Sequence, residues 1–155
     1  STSFIYNVNE VEKDEDEVTV KKGKTNIAAG VLVKCVETDK VLLLLRAEGE
    51  HANTWAMISG GIDEGEDILT GLKREIREET RIDADNPETK INFKLIKKIV
   101  NTDKNSEFYY YQGFTNTQFL PKLDYENHDY KWCDRDNIPS PLYPGLIDKI
   151  NKIYE

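Results

Sequence analysis

The chain is poor in cysteine: Cys35 and Cys133 are the two it has in 155 residues. Two thiols cannot build a disulfide scaffold, and the expectation is free thiols in a reducing compartment. Histidine is as scarce. His51 and His128 stand apart, and with the cysteines they give no zinc-ligand spacing. No apolar run approaches the ~20 residues of a membrane-spanning helix. The first residues are polar and acidic, without the basic-then-apolar pattern of a secretory signal. These absences lead to the expectation of a cytoplasmic protein with no membrane partner. Positive charge is also short, with 21 Lys and Arg against 29 Asp and Glu, a formal net charge of −8. That balance disfavours nonspecific binding to nucleic acid, while leaving room for a local basic groove. The 38% hydrophobic and 32% charged composition suits one globular domain over residues 1–155. It leaves a homodimer open.

Residues 1–24 form an acidic arm, with Glu10, Glu12, Asp14, Glu15, Asp16 and Glu17 ahead of Lys21, Lys22 and Lys24. It is expected to be irregular, with one short edge strand. Ile27 to Val36 reads as a buried strand, and Lys40 to Arg46 as a second after a turn. Arg46, at that strand's end, could meet a substrate phosphate or stand exposed. Trp55 to Ile58 is a third strand. Further strands are expected over Ile91 to Val100, with a bend, and over the aromatic run Phe108 to Phe114. In that run Tyr109 and Tyr111 face one side, and Phe108 and Tyr110 the other. One of these faces could stack a nucleobase; we take Tyr109 and Tyr111 as the candidates, against ordinary sheet packing. Pro139, Pro141 and Pro144 break the chain before an amphipathic helix over Gly145 to Tyr154. Strands, a helix, more strands and a last helix suit a mixed α/β fold, a sheet with helices packed on it.

Between the third and fourth strands lies GGIDEGEDILTGLKREIREETRI, Gly60 to Ile82. A glycine-rich acidic loop runs into a helix whose Ile68, Leu69, Leu72 and Ile76 recur at helical spacing. Glu66 and Asp67 sit where the dipole of that helix favours negative charge. Glu75, Glu78 and Glu79, at i, i+3 and i+4, fall on neighbouring positions of one face. Like charges at i, i+4 cost about 0.2–0.5 kcal/mol, and a divalent cation reverses that sign. Hard cations take carboxylate oxygens together with substrate phosphates and water. The plainer alternative is a solvated face on which Arg74 and Arg77 offset the acids.

The stretch as a whole resembles the Nudix box of the Nudix hydrolase superfamily. The correspondence runs through Gly60, Glu66, the Arg74-Glu75-Ile76-Arg77-Glu78-Glu79 run and Ile82, with Arg81 in place of the closing glycine. Trp55 fits the tryptophan that often precedes the box. Ser59 replaces a proline there, which is expected to loosen the loop. Tyr125 to Trp132 resembles a late segment of several Nudix enzymes, with Glu126 six residues before Trp132. The resemblance covers about residues 27–132 and implies an α/β/α sandwich with a mixed curved sheet. It implies a metal-dependent hydrolase that cleaves the pyrophosphate linkage of a nucleoside diphosphate joined to another moiety. Mg²⁺ is the expected cofactor, with Mn²⁺ as the alternative. Glu75 and Glu79 are the expected main ligands, Glu78 an additional one, and the Gly60 carbonyl a further one. The general base is expected among Glu78, Glu79 and Glu126, with Glu78 and Glu126 the leading candidates. Glu66 and Arg74 are expected to brace the loop by an ion pair. The position after the box where proline would suggest ADP-ribose holds Lys97, and the tyrosine that would suggest diadenosine polyphosphates comes no earlier than Tyr109. A small-molecule nucleotide is therefore expected, with its class open. The rival readings are a nucleotide-binding module without turnover and an RNA 5′-end pyrophosphohydrolase.

Overall fold

The computed structural model describes residues 4–7 and 24–155. Among these, eight strands form one sheet. They are β1 (Phe4–Asn7), β2 (Lys24–Cys35), β3 (Lys40–Arg46), β4 (Trp55–Ala56), β5 (Ile58–Gly61), β6 (Asn92–Asn101), β7 (Ser106–Thr115) and β8 (Asn127–Cys133). The helices are α1 (Ile68–Thr80) and α2 (Leu146–Ile153), with a 3₁₀ turn at Pro87–Thr89. β1 is the short strand expected within the acidic arm; the rest of that arm's irregular course lies outside the described residues.

β2 organises the sheet. One of its edges pairs in parallel with β7 from Asn26 to Cys35. The other edge is handed along three antiparallel partners, β1 at Lys24–Ile27, β5 at Ala28–Val31 and β3 at Val33–Cys35. β3 in turn leaves β2 to pair β4 on one side and β8 on the other. The sheet is thus mixed and splayed, and the gap between the diverging β3 and β5 is where the functional residues gather.

Period-two alternation sorts the side chains onto two faces. Ala29, Val31, Val33, Leu42, Leu44 and Tyr111 face Leu72 and Ile76 of α1. Leu32, Val41, Leu43 and Tyr110 face Leu146, Ile150 and Ile153 of α2. A strand covered on both faces needs apolar residues at every position, which explains the unbroken Val-Leu-Val and Val-Leu-Leu-Leu runs. The result is the α/β/α sandwich with a mixed curved sheet. Cys35 and Cys133 are both free and buried. No helix among the described residues is long and apolar enough to cross a membrane.

Several local expectations are adjusted. The third strand divides into β4 and β5. Ser59 does not loosen this segment; it is paired opposite Gly30 within the sheet. The bend expected in the fourth strand is a register shift in β6 between Leu95 and Lys97. Asp67 stands at the N-cap of α1, but its side chain makes no capping bond.

At the other end of α1, Arg81 takes the left-handed conformation, φ 63° and ψ 17°, and its N–H donates to the Arg77 carbonyl. Glycine occupies such a cap without the steric cost that any Cβ brings. Arg81→Gly is therefore expected to stabilise the protein by about 0.5–1 kcal/mol after the entropy glycine adds to the unfolded chain. A urea titration showing a lower midpoint would contradict this.

Candidate functional site

The site begins at a close approach between backbone and side chain. Gly60 lies in β5 opposite Ala29, and the Glu75 carboxylate rests directly over its α carbon. A Cβ at residue 60 would overlap Glu75 Cγ, Cδ and Oε1. Glycine is required here by packing. Glu75 is 0% exposed, and its Oε2 accepts from Arg74 Nη1 at 3.2 Å.

Arg74 is the clamp of the loop. Its Nε and Nη2 donate to the two oxygens of Glu66 at 2.8 and 3.0 Å, and Nη2 also donates to the Gly61 carbonyl at 2.9 Å. Glu66 Oε1 accepts in addition from the Asp63 N–H at 2.7 Å. The expected brace is present and bidentate, the geometry guanidinium and carboxylate favour. The Arg74 bonds hold the Glu66 carboxyl below its ordinary range. Glu66 and its neighbours raise Arg74 above its own.

One turn beyond Glu75, Glu79 is 6% exposed and points into a cavity of about 170 Å³. Burial pushes its carboxyl up to about 9, and the charges of Glu126, Glu75 and Asp124 add to the shift. Asn127 Nδ2 donates to Glu79 Oε1 at 3.4 Å. Glu78 is different. Its side chain is 45% exposed, and Arg74 Nη1 reaches it at 3.2 Å. The three glutamates expected on one face thus divide into a buried pair and a rim residue.

Glu126 comes from the other side of the cavity, ahead of β8. The Ala47 N–H donates to its carbonyl at 2.9 Å, and its own N–H donates to Asp124 Oδ1 at 3.0 Å. Leu45 pairs with Asp129 but Arg46 with Asn127, so His128 is the extra residue of a bulge. Bulges re-aim neighbouring side chains, and this one sits between Glu126 and the ladder. Arg46, opposite, lines the acidic cavity together with Glu79 and Glu126. Its guanidinium lies 5.3 Å from the Tyr143 ring centroid, and its buried Nε has no hydrogen-bond partner among the described residues.

Tyr109 and Tyr111 lie elsewhere. Both are on the α1 face, where Tyr111 packs edge-on against Phe93 and Tyr109 donates to Glu107 at 3.1 Å. Neither lines the acidic cavity nor the apolar one beside it. The physical reason is strand parity: the neighbouring Phe108, on the opposite face, borders the apolar cavity. Sequence reading separated the two faces of this strand but had no signal for which one meets the cleft.

Tyr143, which no sequence signal singles out, lies beside Arg46 in the wall of the apolar cavity. It sits in the proline-rich stretch read as a chain breaker. That stretch docks on β4: the Trp55 N–H donates to the Pro141 carbonyl at 2.9 Å, and the Tyr143 N–H to the Trp55 carbonyl at 2.8 Å.

Glu75, Glu78, Glu79 and Glu126, with the Gly60 carbonyl, offer oxygen atoms, the donor type a hard divalent cation takes. Among the described residues no three His, Cys, Asp or Glu side chains stand close enough together to hold a metal ion as they are placed.

The NUDIX domain family model matches residues 24–152. An RNA pyrophosphohydrolase from a Nitratiruptor species is 32% identical over 155 aligned positions, covering 85% of this chain and 96% of that protein. Nudix hydrolase 7 of Arabidopsis thaliana is 38% identical over 85 residues, covering 54% of this chain. The matched stretch spans 30% of the plant protein's length. Among solved structures, a MutT NUDIX hydrolase from Burkholderia pseudomallei superposes with a TM-score of 0.60 at 17% identity, over 82% of this chain and 98% of that one. At that identity the likeness speaks for the fold alone.

Gly60→Ala is expected to drive Glu75 off its seat, at a cost of about 1–3 kcal/mol as for other overpacked interiors. Equal denaturation midpoints for Gly60→Ala and wild type would show that Glu75 is not held as described.

Proposed function

The chain belongs to the Nudix family, and from that premise we propose that it is a divalent-metal-dependent pyrophosphohydrolase of a nucleoside diphosphate joined to another moiety. One observation carries the reading. Glu75 and Glu79 are buried one helical turn apart, and Glu79 shares the wall of a cavity with Glu126 and Arg46. Arg74 meets Glu75 at 3.2 Å, and a divalent cation beside Glu79 would offset the like charges of Glu126, Glu75 and Asp124 gathered around it.

Glu75 and Glu79 are the main ligands of the cation in this reading, with the Gly60 carbonyl and the rim carboxylate of Glu78 completing the protein's share. Mg²⁺, or Mn²⁺ in its place, supplies neutralisation of the phosphate oxygens and acidification of the attacking water. The chain's residues do the rest. Arg46, in the cavity wall, is placed for its guanidinium to meet a phosphate oxygen. Glu126 accepts the proton as water attacks phosphorus and the bridging P–O bond breaks. Glu126 is preferred to Glu78 as base because Glu126 lines the cavity, whereas Glu78 is held at the rim by Arg74. Glu66 and Arg74 keep the loop in register with α1. The buried free thiols suit a reducing compartment, and we place the activity in the cytoplasm of one globular domain.

An RNA 5′ end is the second reading. It is favoured by the name of the Nitratiruptor relative, which aligns over 96% of its length. The net charge of −8 weighs against it.

The deciding measurement is a panel of Mg²⁺-dependent hydrolysis assays on free nucleotides, nucleotide conjugates and triphosphorylated RNA, with products identified by mass. Glu79→Gln is expected to lose most turnover on the best substrate while still melting cooperatively. Glu126→Gln is expected to lose about 10²–10⁴-fold. Unchanged turnover in Glu79→Gln would refute the metal assignment. Tight binding of one nucleotide class with no hydrolysis of any would favour a binding module.

A further inference from the structure

An apolar cavity of about 210 Å³ adjoins the acidic one, and the two share Arg46, Met57 and Ser59 in their walls. It lies on the α2 face, between the splayed β5, the start of β7 and the start of α2. Its size is below the roughly 300–1,000 Å³ of sites that enclose whole drug-sized ligands. One ring system fits it better than a nucleotide.

The floor is built for close contact. Gly30 of β2 carries no side chain, and a Cβ there would come within 2.8 Å of Phe108 Cζ and 2.9 Å of Met57 Cε. The glycine lets an aromatic ring and a thioether meet over the backbone, a flat apolar bed for a planar ligand. Tyr143 stands on the rim, held there by the Trp55 backbone.

The charge in this cavity is one-sided. Lys149 and Arg46 line it, and among the described residues no carboxylate does. Arg46 is on the side shared with the acidic cavity, where a phosphate would lie. Lys149 is on the side that is not shared, 5.2 Å from the Tyr110 ring centroid. An ammonium group donates and never accepts. A planar ligand must therefore turn hydrogen-bond acceptors toward it. Guanine and hypoxanthine show O6 and N7, both acceptors, along one edge, whereas adenine shows N7 beside a donor amino group.

We propose that this cavity holds the base of the substrate, and that Lys149 makes it selective for a 6-oxopurine over adenine. The proposal rests on the nucleotide-hydrolase reading for the phosphate end, and deepens it by naming the other end of the substrate. Phe108 supplies the stacking surface, Gly30 the room beneath it, and Lys149 the discrimination.

Calorimetric titration of the full chain with IMP, AMP and UMP, in the presence of Mg²⁺, tests this without requiring turnover. IMP is expected to bind about tenfold or more tighter than AMP, and UMP more weakly than IMP. Lys149→Met should bring the IMP-to-AMP ratio close to one, and Phe108→Ala should weaken both purines together. Equal affinities for IMP and AMP in the wild type, UMP binding as tightly as IMP, or a ratio that survives Lys149→Met would each overturn the proposal. The same titrations keep the two readings apart. A clear preference for IMP without hydrolysis of any nucleotide supports the pocket and removes the hydrolase. Hydrolysis without base preference does the reverse.

Discussion

The contact between Glu75 and Gly60 governs the arrangement of everything around it. A carboxylate pressed against a strand's backbone fixes how far α1 stands from β5 and how the helix is rotated about its axis. Once that rotation is set, Glu79 one turn later must also point inward, and Glu78 must lie at the rim. Arg74, beside Glu75 in sequence, then reaches back to Glu66 and the Gly61 carbonyl. The acidic loop is thereby anchored to the same helix that presents the carboxylates. A partly buried ion pair of this kind costs desolvation and is weak evidence of net stabilisation; its clearer effect is to make loop and helix move as one.

The sheet supplies the space. Because β2 changes partner along one edge, β3 and β5 diverge although both start from the same strand. The acidic cavity opens where they part, with Arg46 from one and Ser59 from the other in its wall. A flat sheet with constant neighbours would have closed this gap with ladder hydrogen bonds. The bulge at His128 then turns the start of β8 so that Glu126 and Asn127 close the far side.

Much of this was legible in the sequence because it is local. The unbroken aliphatic runs of β2 and β3, the helical stripe of α1 and the Glu66–Arg74 pairing each depend on residues close in the chain. Glu126 drew notice only through its spacing to Trp132, whose indole N–H donates to the Phe119 carbonyl at 3.0 Å near the end of β8. What was not legible depends on how distant elements meet. Alternation showed that Phe108 and Tyr109 point opposite ways, but not that the cleft lies on the Phe108 side. Three prolines marked Tyr143's segment as a break, and nothing in its composition indicated that it would return to β4. Nor could helical spacing alone separate buried Glu79 from exposed Glu78, since both neighbour Glu75 on the wheel.

The return of that proline-rich segment to Trp55 has a consequence for the order of assembly. Every carboxylate of the proposed cation site is in place by Glu126, yet the aromatic rim and the lysine of the neighbouring cavity come from Tyr143 and Lys149. During synthesis, the ribosome would therefore release every one of these carboxylates, and Gly30 and Phe108 as well, before Tyr143 and Lys149. A nascent chain paused between these points would also lack Leu146, Ile150 and Ile153, and with them the cover over the second face of its sheet.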